Sequence, residues 1–116
     1  MEDNRREFFR VSFVRTIDGK LVVPEGGEVL IDISNLSAGG VVFDGYFDIA
    51  LREKVLCRFA LLDEPFELEG HIIRKVAKDY SFEYAVEFLA GQRAVPKLFQ
   101  QLNTYQIRKR RSLLND

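Results

Sequence analysis

The sequence predicts an all-β fold, a sandwich or barrel of short strands, followed by one C-terminal α-helix. Three observations predict it. Tyr80, Phe82, Tyr84, Val86 and Phe88 alternate with Ser81, Glu83, Ala85 and Glu87, the period-2 pattern of a half-buried strand. Gly-, Asn- and Asp-bearing turn signals punctuate the chain from Asp18-Gly19 to Asp63-Glu64-Pro65, as in an all-β domain. From Val95 the period changes: Leu98, Phe99, Leu102 and Tyr105 or Gln106 follow at helical spacing.

Taken in order, residues 1–10 form a polar, arginine-rich arm that is mobile without a partner. Val11 and Phe13 begin the first strand, and Asp18-Gly19 is a two-residue hairpin signal returning into Leu21, Val22 and Val23. Pro24 to Gly27 make a second turn. Residues 28–33 form the strand that delivers the turn Asn35-Leu36-Ser37-Ala38-Gly39-Gly40. In that turn the Gly pair supplies positive φ, and Asn35 and Ser37 bring short polar side chains that bond backbone or ligand. Residues 41–43 leave it as a strand, Asp44-Gly45 signals another turn, and residues 46–51 read as loop with room for a short strand. Residues 54–62 read as a buried strand ended by Asp63-Glu64-Pro65. Residues 66–76 set Phe66, Leu68, Gly70 and Ile72 against Glu67, Glu69, His71 and Ile73. Ten Phe and four Tyr supply the filling of a small barrel. In the final helix Pro96 suits the start, and the basic residues 108–111 place positive charge in the last turns, where it complements the helix dipole. Ile107, Leu113 and Leu114 lie off the apolar stripe and offer a surface for a partner or for self-association.

Composition bounds the function. The 116 residues suit one domain with one core, organised as an arm (1–10), a β body (11–90) and a helix (95–114). A chain that is 47% hydrophobic and 30% charged is not a disordered one. Net charge −1 argues against binding a nucleic-acid polymer, including single strands laid over exposed aromatics. The single Cys57 excludes an intrachain disulfide and a zinc cluster, and among Val55, Leu56 and Phe59 it reads as a buried core thiol. His71 has no ligand-type neighbours at metal spacing and reads as an outward strand residue. No Walker loop, nucleophile elbow or triad pattern occurs. The chain therefore reads as a protein without enzymatic activity, cofactor or metal. Nor is there a signal peptide or an apolar run long enough to span a bilayer, so a soluble, cytoplasmic protein is expected. The charge is uneven: basic residues gather at both ends, whereas residues 16–96 hold eight basic against fourteen acidic side chains. Basic ends on an acidic body suit a small anionic ligand held at one end.

Two short patterns sharpen that reading. Arg6 and Arg10 stand in the spacing Arg-x-x-x-Arg, and Asn35, Ser37 and Gly40 form Asn-x-Ser-x-x-Gly further on. Asp32 and Ser34 begin a competing Asp-x-Ser, but Ser37 stands where its Gly is needed. In this order and separation the two patterns resemble those of the PilZ domain family, whose second motif is Asp/Asn-x-Ser-x-x-Gly. The resemblance extends over nearly the whole chain. One departure is Ala85, before Val86-Glu87-Phe88, where the family often has Gly.

The resemblance implies a six-stranded antiparallel β-barrel with a C-terminal helix, and a receptor for the bacterial second messenger cyclic di-GMP. The chemistry of the residues agrees. The ligand carries two anionic phosphates and two guanines with O6 and N7 acceptors, and an arginine fork meets either target with paired N–H bonds. Arg6, Arg10, Asn35, Ser37, Gly39 and Gly40 are the implied ligand-binding residues; Arg74, near the end of the penultimate strand, could reach the ligand but reads first as a surface arginine. Arg5, directly before the first motif arginine, implies a stacked pair of ligand molecules per chain. Such a receptor would be a stand-alone one, passing its signal to a protein effector in motility, pilus function or exopolysaccharide synthesis. The alternative is a PilZ-like structural or interaction protein that binds no nucleotide, and the presence of Arg6 and Arg10 favours the receptor.

Overall fold

Alternating apolar residues fold into six strands whose buried faces converge on one core. A computed structural model describes residues 10–115, without the side chains of residues 113–115. The elements are β1 (Val11–Val23), β2 (Gly27–Ser37), β3 (Gly40–Gly45), β4 (Lys54–Leu61), β5 (Glu64–Ala77), β6 (Phe82–Phe88) and α1 (Ala94–Asn115). All pairings are antiparallel, and the order β1-β2-β3-β6-β5-β4 closes on itself because β1 pairs with both β2 and β4. The chain is thus the closed six-stranded barrel expected, and closure gives each described strand a partner on both sides.

The interior is filled as the alternation predicts. Phe66, Leu68 and Ile72 of β5 and Tyr84, Val86 and Phe88 of β6 are buried with Phe43, Phe59 and Leu21. Tyr80 lies ahead of β6 and is 93% exposed, so the strand begins later than its pattern suggests. The Tyr84 hydroxyl accepts the Ile49 N–H at 2.8 Å and donates to the Phe47 carbonyl, which pins the strandless residues 46–53 to the barrel. Cys57 is fully buried and desolvation pushes its thiol pKa up to about 12, as an inert core residue requires.

Several turns differ from expectation. Asp18-Gly19 does not reverse the chain. Gly19 faces Ile31 on one side and Phe59 on the other, and β1 runs straight through it. A Cβ there would lie 2.8 Å from Ile33 Cδ1 and 3.1 Å from the Arg58 carbonyl oxygen. The glycine admits close neighbours; it does not bend the chain. Asp44 and Gly45 likewise stay in β3, paired to both β2 and β6, and the chain bends only after them. Between β4 and β5 the reversal is made by Leu62 and Asp63 alone, at φ 52° and 68°, the double positive φ of a tight hairpin turn. Glu64 and Pro65 therefore belong to β5, opposite Leu61 and Ala60.

Helix α1 joins the core through Leu98 and Leu102, both fully buried, each stabilising the packing by about 1.5–3 kcal/mol. Tyr105 meets Phe13 edge-on at 5.3 Å between ring centroids. The basic cluster at 108–111 stops short of the last turn, which holds no basic residue. The dipole account of that cluster therefore fails, because the effect fades within one turn of the helix end. Ile107 is half exposed, leaving part of the helix open, while the side chains of Leu113 and Leu114 lie outside the described residues. No helix among the described residues is long and apolar enough to cross a membrane.

Candidate functional site

The site begins with an irregularity in β2. Ile31 and Ile33 point into the barrel, and strict alternation would send Asn35 and Ser37 inward after them. Against β3 the register shifts between Ile33 and Asn35, leaving Ser34 as an extra residue whose hydroxyl donates to the Val42 carbonyl at 3.2 Å. One inserted residue exchanges the two faces of everything beyond it. Leu36 thereby takes the inward place, fully buried, and Asn35 is left half-buried on the other face.

The turn itself is shorter than expected. Strand β2 runs to Ser37 and β3 starts at Gly40, so only Ala38 and Gly39 connect them. Ser37 is 3% exposed and holds the turn: its Oγ accepts the N–H groups of Gly39 and Gly40, each at 3.1 Å, and donates to the Gly40 carbonyl at 3.4 Å. The Gly pair is not there for positive φ, which among the described glycines occurs at Gly27 and Gly91. Gly40 is required by proximity, since a Cβ would lie 2.3 Å from the Val86 carbonyl oxygen. The Phe88 N–H then donates to the Gly39 carbonyl at 2.9 Å, tying the turn to the end of β6.

Arg10 reaches this turn from across the sheet. The register Val11↔Leu36 and Ser12↔Asn35 places Arg10 beside the end of β2. Its Nη1 donates to Asn35 Oδ1 at 3.0 Å. Arg10, Ser37, Gly39 and Gly40 line one cavity of about 430 Å³. Its lining is otherwise largely apolar, with Val42, Ala85 and Ile73, and also includes Glu87. A cation, a carboxylate and apolar side chains around one cavity can hold an aromatic ring that carries both acceptors and N–H donors.

The structure brings together Arg10, Asn35, Ser37, Gly39 and Gly40. Arg74 stands opposite Ala85, which lines the cavity, but its own side chain is exposed and is not part of the lining. Arg5 and Arg6 lie outside the described residues. Sequence reasoning missed Ile73, Glu87 and Val95. Ile73 is the extra residue where β5 shifts register against β6 between Ile72 and Arg74, and a bulge of that kind leaves no mark in the alternation. A larger concavity of about 580 Å³ lies on the outer wall around Leu30, Arg58 and Pro65. There Arg58 is already engaged by Glu28 at 2.7 Å and Glu67 at 2.8 Å, which raise its pKa further, so it offers no free cation. Among the described residues no group of three His, Cys, Asp or Glu side chains is placed to hold a metal.

Known proteins share this fold. A family model described as PilZ domain matches residues 4–104. No curated protein matches the sequence. The structure of YcgR in complex with c-di-GMP from Escherichia coli is similar over 96% of this chain and 50% of that one, at 15% identity and TM-score 0.74. The isolated PilZ domain of YcgR with c-di-GMP is similar over 97% of this chain and 98% of that one, at 16% identity and TM-score 0.72. The Bacillus subtilis inhibitor of motility (MotI/DgrA) is similar over 95% and 54%, at 19% identity and TM-score 0.74. The chain thus spans about half the length of the YcgR and MotI chains it matches there.

Proposed function

The chain belongs to the PilZ domain family, and from that premise we propose that it is a receptor for cyclic di-GMP. The observation that carries the reading is the Arg10–Asn35 hydrogen bond at the rim of the Ser37–Gly40 cavity. It joins one member of each short motif at a single place. YcgR with bound c-di-GMP has the same fold, which supports the reading further.

In this account the Arg10 fork turns from Asn35 to a phosphate or a guanine edge, and Asn35 is freed to bond the base. Backbone at Gly39 and Gly40 lets the flat ring approach over Val42 and Ala85, and Glu87 accepts from guanine N–H groups. Arg6 supplies the second fork. Arg74 reaches over Ala85, a side chain too small to obstruct it. Arg5 adds a cation for a second, stacked ligand, giving two cyclic di-GMP per chain. Binding brings Arg5 and Arg6 to an edge already assembled from Arg10 to Gly40, and carries Phe8 and Phe9 with them. The apolar surface so created or covered is what a protein effector reads.

Hydrogen exchange tests the relay. The relay predicts that amides of residues 4–9 exchange rapidly without ligand and become protected with cyclic di-GMP. Protection already present without ligand would show that the arm is not the moving part. Stoichiometry is tested separately by titration of Arg5→Ala, which is expected to reduce two bound molecules to one. A one-to-one endpoint in the unaltered protein counts against the stacked pair.

A further inference from the structure

Arg10 faces two cavities. Besides the one at the turn, its side chain lines a second of about 260 Å³ together with Asn103, Gln106, Ile107 and Arg110. Those four helix residues stand at i, i+3, i+4 and i+7 and so share one face of α1. The helix is held against the start of β1 by Lys109, whose Nζ donates to the Ser12 carbonyl at 3.3 Å, and by the Phe13–Tyr105 contact. Two guanidinium groups and two carboxamides therefore border a chamber that shares Arg10 with the nucleotide site. One of the carboxamides is unsatisfied: Gln106 Oε1 is buried with no hydrogen-bond partner. An acceptor left in that state is costly. Turning it toward a donor breaks no protein bond and makes a new one.

We infer that this face of α1 is a guanine-reading wall of the nucleotide site. Arg110 presents its fork to guanine O6 and N7, and Gln106 accepts from the Watson–Crick N–H groups of the same base. The inference rests on the receptor reading above. A phosphate fits the chamber less well, because it offers acceptors only and leaves Gln106 Oε1 unpaired. Adenine fits less well too, since it presents an N6 donor where guanine presents O6, and arginine has no acceptor to meet it. Guanine meets the arginine fork with two adjacent acceptors and Gln106 Oε1 with its N1–H and N2–H donors at once.

Calorimetric titration of the full chain with cyclic di-GMP and cyclic di-AMP tests it, using Arg110→Ala, Arg110→Lys and Gln106→Leu beside the unaltered protein. Arg110→Ala and Gln106→Leu are each expected to weaken cyclic di-GMP binding about tenfold and to narrow its preference over cyclic di-AMP. Arg110→Lys recovers little, because an ammonium has no fork. The melting temperature of Gln106→Leu does not fall, since an unpaired acceptor is removed, so a loss of binding there is not a loss of fold. If the unaltered protein fails to bind cyclic di-GMP, the receptor reading falls and takes this inference with it. If the unaltered protein binds while Arg110→Ala or Gln106→Leu binds equally well, or the preference over cyclic di-AMP stays as wide, the inference alone is overturned. Full affinity in Arg110→Lys overturns it as well, since a point charge on a phosphate then suffices.

Discussion

Gly40→Ala isolates the role of the turn. An alanine Cβ at this position lies 2.3 Å from the Val86 carbonyl oxygen, 3.4 Å from its carbon and 3.6 Å from Glu87 Cα. Close carbon–oxygen contacts between strands run at about 3.3–3.6 Å, so β3 and β6 must separate by about 1 Å at this point. The obstructing atom is backbone inside a closed barrel and cannot swing away. Overpacking costs about 1–3 kcal/mol in general, and this case belongs at the upper end, about 3 kcal/mol. For a domain of this size that lowers the melting temperature by about 10–15 °C. Thermal unfolding followed by circular dichroism measures it, and Gly27 is the internal comparison. Gly27 has φ +72°, and a Cβ there would meet nothing within 4 Å, so Gly27→Ala costs only the left-handed strain, about 1–2 kcal/mol. Asparagine tolerates that backbone and recovers part of the loss at 27, whereas Gly40→Asn recovers nothing. A Gly40→Ala melting point within about 3 °C of the unaltered protein, or rescue by Asn at 40, would refute the close-approach argument.

Other expectations follow from the same contacts. Ser37→Ala leaves the Gly39 and Gly40 N–H groups without their acceptor and costs about 1–3 kcal/mol in denaturant unfolding; a loss under about 0.5 kcal/mol would mean that water replaces the hydroxyl. Arg10 is exposed, so Arg10→Ala changes stability by less than about 0.5 kcal/mol yet weakens cyclic di-GMP binding about tenfold or more, a split that comparing melting and titration will expose. Deleting Ser34 removes the extra residue and leaves Ile33, Asn35 and Leu36 in consecutive register with Phe43, Val42 and Val41, so Leu36 stays inward; a loss within about 3 kcal/mol is expected, and a loss above about 4 kcal/mol would contradict the bulge argument. Cys57 has a folded pKa of about 12 against an ordinary value of 9.0, so the folded state holds the proton to higher pH than the unfolded one. Its contribution is intact below about pH 9 and falls by about 1.4 kcal/mol per pH unit from there toward pH 12, a slope that Cys57→Ala removes from the stability–pH curve.

What the sequence made legible was whatever repeats locally. The alternation of Phe66 to Ile72 and of Phe82 to Phe88, and the helical spacing of Leu98 and Leu102, each reflect one face buried against the same core. The motif residues Arg10, Asn35, Ser37 and Gly40 were legible as a set, although the reason for Gly40 was not, because the Val86 carbonyl that requires it comes from a strand 46 positions away. Turn signals were the weakest guide. Asp18-Gly19 and Asp44-Gly45 carry hairpin residues but are held extended by partners on both sides, whereas Leu62-Asp63, with no glycine, makes a two-residue reversal. Bulges at Ser34 and Ile73 decide which side chains face the site, and a bulge is a property of two strands together.

The central claim is that the Arg10–Asn35 edge and the Ser37–Gly40 turn form a cyclic di-GMP site. Isothermal calorimetry of the unaltered protein with cyclic di-GMP tests it most directly. The account predicts saturable binding at micromolar affinity or tighter, about −8 kcal/mol or more favourable, weakening as salt is added because arginine–phosphate contacts are screened. Absence of binding at millimolar ligand, by a protein whose thermal transition shows it folded, would contradict the account and leave the barrel as a nucleotide-free interaction domain.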